Sequence, residues 1–382
     1  MIKKNNLQKE KGMTIIVNAF TAFNLGDDLF LKILFERYPK TKFKLIAPID
    51  YESFGSIYPN VTIVDLYQLN FHQKFFLKIT SFSKTMYVDR FLKTRLKEIS
   101  HNSDGYINVG GSIFIQESNE IGGNDKLNQL FNIQFDSKLK CIIGANFGPY
   151  TTEEYFLYYK SIFENFDDIC FRDDFSYNLF KKLKNVRVAP DIVFQLKYKE
   201  IKKNKKTVGF SLIELSKREG LEVYSKEYYS TFYKLIKLYI AKGFTVYLFS
   251  FCKIQGDEDI IKDILNDLNE FERSNIKQVF YNGNINEFLN SFGSVENMYC
   301  TRFHSMILSM IFGQNFYPIV YSKKMTDCLD YIGFDGKFSL IKDLNSKGVE
   351  DFFNLMDNNK FIPKVQLEEA QDHFKILDEY LL

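Results

Sequence analysis

The sequence predicts an α/β protein built from two doubly wound domains with parallel sheets. Three observations carry that prediction. At 382 residues, 45% of them hydrophobic, the chain is too long for one ordinary core. Short apolar segments of strand length recur along it, each separated by helical or polar sequence. The pattern then restarts at Thr207-Val-Gly-Phe-Ser-Leu, after a lysine-rich run over residues 197–206 that reads as an exposed linker. The expected domains are residues 13–196 and 207–345, followed by C-terminal helices over 346–382 that can cross back onto the first domain.

In the first half, Thr14-Ile-Ile-Val-Asn-Ala-Phe reads as a buried strand, followed by the turn Thr21-Ala-Phe-Asn-Leu-Gly-Asp-Asp. Leu29, Phe30, Ile33 and Leu34 then mark a helix that ends before Pro39, with Asp27 or Asp28 as its expected N-cap. The turn lacks GxGxxG, so a dinucleotide fingerprint is not supported. Further strands are expected at 43–46, 61–66, 106–109, 141–144 and 169–171. Residues 186–191 read as the seam between domains. Polar or glycine-bearing turns close several strands: Val109-Gly-Gly-Ser112, Gly144-Ala-Asn-Phe-Gly-Pro149 and Phe171-Arg-Asp-Asp-Phe-Ser176. Glycine lacks Cβ and lets backbone approach a ligand closely, although a plain turn needs it equally.

In the second half a helix is expected over 223–242, ending at Gly243 in the place a C-cap glycine prefers. Residues 244–251 form a near-continuous apolar run of the kind buried parallel strands show. Asp257-Glu-Asp-Ile opens another helix with acids in its first turn. Strands at 278–281, 295–300 and 316–321 complete the second sheet.

Composition excludes several functions. Fifty basic residues against 48 acidic ones give a net charge of +2, without the basic footprint of a nucleic-acid binder. No window approaches the ~20 apolar residues of a membrane span. The N-terminal stretch lacks a signal-peptide core, and the five cysteines lack CxxC spacing, which together suggest a cytoplasmic protein with reduced thiols. Residues 71–97 interleave seven Lys and Arg with aromatic side chains and a single acid, Asp89. Such a stretch can lie on an anionic membrane at the inner face of the bilayer; the ordinary alternative is a surface helix packing its aromatics on the domain.

The stretch richest in chemistry is Tyr299-Cys-Thr-Arg-Phe-His-Ser-Met-Ile-Leu. It reads as strand, turn and helix, which puts Arg302 and His304 at the carboxyl edge of a parallel strand. A helix start there favours anions. A structural ion pair at Arg302 and a capping role for His304 are the plainer alternative. Arg172 occupies a comparable position, and Lys323 and Lys324 follow the next strand. Arginine forks match carboxylate and phosphate, and histidine suits proton transfer near neutrality. The four histidines show no metal-ligand spacing, and GxSxG and P-loop motifs are missing, so no metal and no resident cofactor are expected.

Taken together, Asn24-Leu-Gly-Asp-Asp-Leu29, Gly110-Gly-Ser112, Arg172-Asp-Asp-Phe-Ser176, Ala189-Pro-Asp191, Arg302-Phe-His-Ser305 and Tyr321-Ser-Lys-Lys324 resemble, in order, the polysaccharide pyruvyl transferase (ketal pyruvyl transferase) family. The resemblance implies a GT-B-like pair of Rossmann-like domains with a cleft between them, the first on the acceptor side and the second on the donor side. It implies transfer of pyruvate from phosphoenolpyruvate, as co-substrate, onto two hydroxyls of a saccharide, with release of phosphate. The acceptor would belong to a surface polysaccharide, capsule or exopolysaccharide, or to its lipid-linked precursor.

By the same resemblance His304 is the proton donor. Arg172, Arg302, Lys323, Lys324 and Ser305 bind the donor. Asn24, Gly26, Asp27, Asp28, Gly110, Gly111 and Ser112 form acceptor or loop contacts. The first loop, Asn18-Ala-Phe-Thr-Ala-Phe-Asn24, lacks glycines that many members have, and Gly110-Gly-Ser stands where a triple glycine is commoner. Two competitors share the pattern: a GT-B glycosyltransferase using a sugar nucleotide, and a catalytically silent binding member of the family.

Overall fold

A computed structural model describes residues 12–66, 84–101, 103–116 and 139–382. The chain divides into two compact units. The first comprises residues 1–21, 30–192 and 371–382, and the second residues 22–29 and 193–370. Residues 346–370, expected with the terminal helices, thus group with the second unit, as does the turn at 22–29.

The first unit holds a seven-stranded sheet made of β1 (Thr14–Asn18), β2 (Lys42–Ile46), β3 (Val61–Val64), β4 (Gly105–Val109), β5 (Lys140–Ala145), β6 (Asp168–Phe171) and β7 (Val186–Val188), in the order β3-β2-β1-β4-β5-β6-β7. All its pairings are parallel. The central strands are buried on both faces, which is why Ile15, Ile16 and Val17 run without alternation. Residues 186–188, read from sequence as the seam, are instead an edge strand. Its Arg187 pairs with the buried Asp168 through Nε at 2.6 Å and Nη2 at 2.8 Å. An internal arginine in three residues conceals a strand from any apolar-run criterion.

The helix Leu25–Arg37 is capped by Asn24, whose Oδ1 accepts the Gly26 N–H at 3.2 Å. Asp27 and Asp28 therefore lie in the first turn and are not the N-cap. The terminal residues of the chain return to the first unit, where Asp378 receives Arg37 Nε at 2.8 Å and the Tyr38 hydroxyl at 2.7 Å.

Of the basic aromatic stretch at 71–97, residues 71–83 lie outside the described residues. The helix Lys84–His101 covers the rest, and in its described part Leu92, Leu96 and Ile99 recur at helical spacing and pack into the first core. Among the described residues no helix is long and apolar enough to cross a membrane.

The second unit repeats the design with six strands: β8 (Asn204–Ser211), β9 (Thr245–Ser250), β10 (Ile276–Phe280), β11 (Val295–Cys300), β12 (Asn315–Val320) and β13 (Ser339–Leu340), in the order β10-β9-β8-β11-β12-β13. Again every pairing is parallel. The strand order reverses direction between β8 and β11, the switch point where open α/β sheets bind ligands outside their carboxyl ends. Asn204 to Lys206, read as the end of a linker, instead begin β8.

The helix Ser225–Ala241 lays Tyr228, Phe232, Leu235, Ile236, Tyr239 and Ile240 on the sheet. It ends at Gly243, whose φ of +78° allows the Gly243 N–H to reach Ile240 O and the Phe244 N–H to reach Tyr239 O. Phe210 and Tyr299, on neighbouring strands, stack with ring centroids 5.0 Å apart, and the Tyr299 hydroxyl donates to Phe352 O at 2.9 Å. Burying aromatics in this way is the largest apolar contribution per residue, and the hydrogen bond prevents the phenol from opposing it.

Candidate functional site

At the switch point of the second unit the chain leaves β11 through Thr301 and Arg302 and enters the helix Phe303–Ile311, with Arg302 as N-cap residue. The turn is tied to the end of β8. Ser211 Oγ accepts the N–H groups of Thr301 (3.2 Å) and Arg302 (3.3 Å), and lies 2.6 Å from Ser305 Oγ. Tyr228 donates to Thr301 Oγ1 at 2.9 Å, and burial raises its phenol well above the ordinary value.

Arg302 is only 7% exposed. Its guanidinium meets the fully buried Asp257 in a fork, with Nε donating to Oδ2 at 3.0 Å and Nη2 to Oδ1, while Nη1 donates to Gln255 Oε1. Burial pulls the guanidinium down, but the Asp257 carboxylate more than offsets this and its pKa ends above the ordinary arginine value. Asp257 also receives the N–H groups of Phe251 (2.9 Å) and Cys252 (3.0 Å) just past β9. A buried charge is tolerated only with such partners, so the pair holds the β11 turn against the segment after β9.

His304 follows in the first turn of the same helix, half-buried, with its ring 5.2 Å from that of Phe303. Its imidazole lies against Gly26. A Cβ built on that glycine would stand 1.9 Å from His304 Nδ1, so no other residue fits there unless the ring moves. The rest of the 22–29 turn is fixed within the same unit: the Leu25 N–H donates to Phe251 O at 3.1 Å, and the Tyr281 hydroxyl donates to the buried Asp28 Oδ2 at 2.7 Å. Of the expected loop residues Gly26 thus lies against His304, while Asn24 caps the helix and Asp28 is held by Tyr281.

The carboxyl edge of the first unit carries a second arginine centre. Arg172, at the end of β6, is 5% exposed in its side chain and donates through Nη1 to Asp191 Oδ2 at 2.9 Å. Its Nη2 donates to Asn146 Oδ1 at 2.6 Å, and Ser112 Oγ donates to the same amide oxygen at 3.0 Å. The guanidinium rests on Gly111, where a Cβ would stand 2.7 Å from both terminal nitrogens. At the ends of β1 and β4 Asn18 Nδ2 donates to the buried Asn108 Oδ1 at 3.1 Å.

Most of the residues that close these strands lie in a stretch covered by a family comparison. A family model described as polysaccharide pyruvyl transferase matches residues 24–323. The chain belongs to the polysaccharide pyruvyl transferase family. Among curated proteins no sequence matches it.

Solved structures place this pyruvyl transferase family member among two-sheet α/β proteins of the GT-B-like class. It is similar to the UDP-GlcNAc 2-epimerase of Neisseria meningitidis bound to UDP-GlcNAc, with a TM-score of 0.58 at 10% identity, covering 97% of this chain and 99% of that one. It is also similar to Anabaena HepE in complex with UDP-glucose, with a TM-score of 0.56 at 11% identity, covering 97% and 99%. A third is the UDP-bound MnaA of Staphylococcus aureus, with a TM-score of 0.56 at 12% identity, covering 97% and 98%.

Within the pyruvyl transferase frame the structure brings Arg302, His304 and the 22–29 turn together in the second unit, and Gly110, Gly111, Ser112, Arg172 and Asp191 in the first. Ser305, expected on a ligand, is fully buried and donates to Arg302 O at 2.6 Å, so it serves the turn. Lys323 and Lys324 open the helix Lys323–Tyr331, with Lys324 Nζ 5.6 Å from the centroid of the Phe303 ring. Asp257, Gln255, Asn146 and the role of Asp191 were not singled out from sequence; Asp257 was visible only as a helix-start acid. Among the described residues no cluster of His, Cys, Asp and Glu could hold a metal ion.

Proposed function

We propose that this protein is a pyruvyl transferase that carries pyruvate from phosphoenolpyruvate onto two hydroxyls of a saccharide as a cyclic ketal, releasing phosphate. His304 gives a proton to the methylene carbon of the donor, which becomes a methyl group and leaves positive charge at C2. One acceptor hydroxyl attacks C2 and its proton returns to His304. The C2–O bond to phosphate then breaks, and the second hydroxyl closes the ring as its proton leaves with phosphate. General acid chemistry of this kind contributes ~10²–10⁴ in rate.

The observation that carries the reading is His304 itself: the one titratable imidazole of the family motif, held on Gly26 in the first turn of a helix at the switch point. Arg302 supports it by fixing that turn through Asp257, and Lys323 and Lys324 add positive charge after β12. In the first unit the half-buried Ser112 and Asn146 present neutral groups at the strand ends, and neutral groups match sugar hydroxyls without a charge to desolvate. Arg172, committed to Asp191 and Asn146, shapes that edge. The acceptor is a surface polysaccharide or its lipid-linked precursor.

Incubation with phosphoenolpyruvate and a saccharide panel should release phosphate and yield a pyruvate ketal detectable by mass. A second reading, a glycosyltransferase using a sugar nucleotide, is favoured by the UDP and UDP-sugars named for the similar structures. Thermal shifts with UDP-glucose and none with phosphoenolpyruvate would select it.

A further inference from the structure

The proposed donor carries two anionic groups, yet the arginine of the family motif is already neutralised. Arg302 and Asp257 form a matched pair, so a phosphate beside them would gain little from a cation whose charge is spent. The second unit holds another arginine with no such match. Arg218, in the loop that follows β8, has no carboxylate within ion-pair distance among the described residues, and its Nε is buried without a partner. Its Nη2 donates to Gln255 Oε1 at 3.2 Å, the same oxygen that Arg302 Nη1 engages. One amide thus holds both guanidinium groups in place, one matched and one open.

The surroundings of Arg218 point the same way. Its guanidinium carbon lies 5.6 Å from the centroid of the Tyr321 ring, at the end of β12. Burial raises the Tyr321 phenol and Asp257 adds to that, but Lys324, Arg218 and Arg302 outweigh both and bring its pKa below the ordinary tyrosine value. One residue on, Ser322 precedes the helix Lys323–Tyr331; its hydroxyl caps nothing and is buried without a partner. Buried donors without a protein partner are uncommon in folded proteins, and a water, an ion or a ligand group is what satisfies them.

We propose that Arg218, with Ser322 and the start of the helix Lys323–Tyr331, forms the phosphate-recognition subsite of the second unit, and that Arg302 is a positioning residue held by Asp257. The ligand class is a phosphate monoester or terminal phosphate dianion. Its identity as phosphoenolpyruvate rests on the function proposed above; the subsite does not.

The test uses the full chain, with inorganic phosphate, UDP and phosphoenolpyruvate as probes in calorimetry and, for phosphoenolpyruvate, turnover. Arg218→Gln should weaken inorganic phosphate binding and raise the KM for the donor by about tenfold to a hundredfold, with kcat within a few-fold of wild type. Arg218→Lys keeps the charge but loses the fork, and should recover part of the loss. Ser322→Ala should weaken phosphate by about threefold to tenfold.

Phosphate and donor binding unchanged in Arg218→Gln would overturn the proposal, as would failure of the wild type to bind any of the three probes. If Arg218→Gln does not fold, Arg218→Lys and Ser322→Ala decide, since both preserve volume or charge and wild-type affinity in both would also overturn it. A wild type that binds phosphate or UDP through Arg218 but never turns over phosphoenolpyruvate would sink the donor assignment and leave the subsite standing.

Discussion

Each unit closes its sheet with a buried arginine and aspartate, but the two edges present different side chains. In the first, Arg172 is shared among Asp191, Asn146 and Ser112 and lies on a glycine. In the second, Arg302 gives its fork to Asp257, and the corresponding glycine, Gly26, receives an imidazole instead. The shared part is a positioning device: a matched charge pair that pins the turn after a strand. The difference is what the device presents, amides and a hydroxyl in one unit, and an imidazole with further cations in the other. A buried arginine at a strand end is therefore not by itself an anion site; what stands next to it decides.

The contrast breaks most sharply at the imidazole. His304→Ala should lower turnover by ~10²–10⁴ while leaving the unfolding midpoint close to wild type. A protein that kept full turnover would remove the proposed proton donor and make the two edges equivalent. Next come the charge pairs. Asp257→Asn and Asp191→Asn each strand a buried guanidinium and should each cost about 3–5 kcal/mol in urea unfolding. Near-zero cost at either site would show that its arginine finds another anion and that the shared device is not shared.

Acid should separate the units. In the first, His373 is fully buried, with Nε2–H donating to Pro190 O at 2.8 Å beside Asp191, and burial lowers its pKa to about 4. The folded value lies below the unfolded one, so the unfolded chain takes up the proton first. Its contribution is intact above about pH 6.5 and is lost as pH falls toward 4, by up to ~3 kcal/mol. Hydrogen exchange across that range should show the first unit loosening ahead of the second, and His373→Gln should flatten the slope.

The smallest effects sharpen the glycines. Gly26→Ala and Gly111→Ala should each cost about 1–3 kcal/mol from overpacking. Gly26→Ala should in addition depress kcat, because the displaced group is the imidazole, whereas Gly111→Ala should raise the acceptor KM.

Much of this was legible before any coordinates. Strands such as β1, β9 and β11 are buried on both faces, so they read as apolar runs, and the motif at 299–308 announced its own strand, turn and helix. Two edge strands escaped: β7 is interrupted by Arg187, and β13 has two residues. The pairing of Asp257 with Arg302 was illegible for a different reason. The residues lie 45 apart in sequence, and only the strand order, which brings the ends of β9, β8 and β11 to one edge, makes them neighbours. Arg218 carried no motif at all; its interest comes from a partner it lacks, which composition cannot display. The same holds for the 22–29 turn, whose affiliation is set by Tyr281, Phe251 and His304, far downstream.

That affiliation bears on how the molecule can be dissected. A fragment starting at Val193 holds all six strands of its sheet but omits eight residues that sit between β1 and the body of the other unit in the chain. Cut there, Phe251 O loses the Leu25 amide, Tyr281 loses its carboxylate acceptor, and His304 loses the surface that confines its ring. Such a half is expected to keep its secondary structure while leaving the reactive side chain unanchored, and supplying the missing octapeptide in trans is the direct way to ask whether order returns.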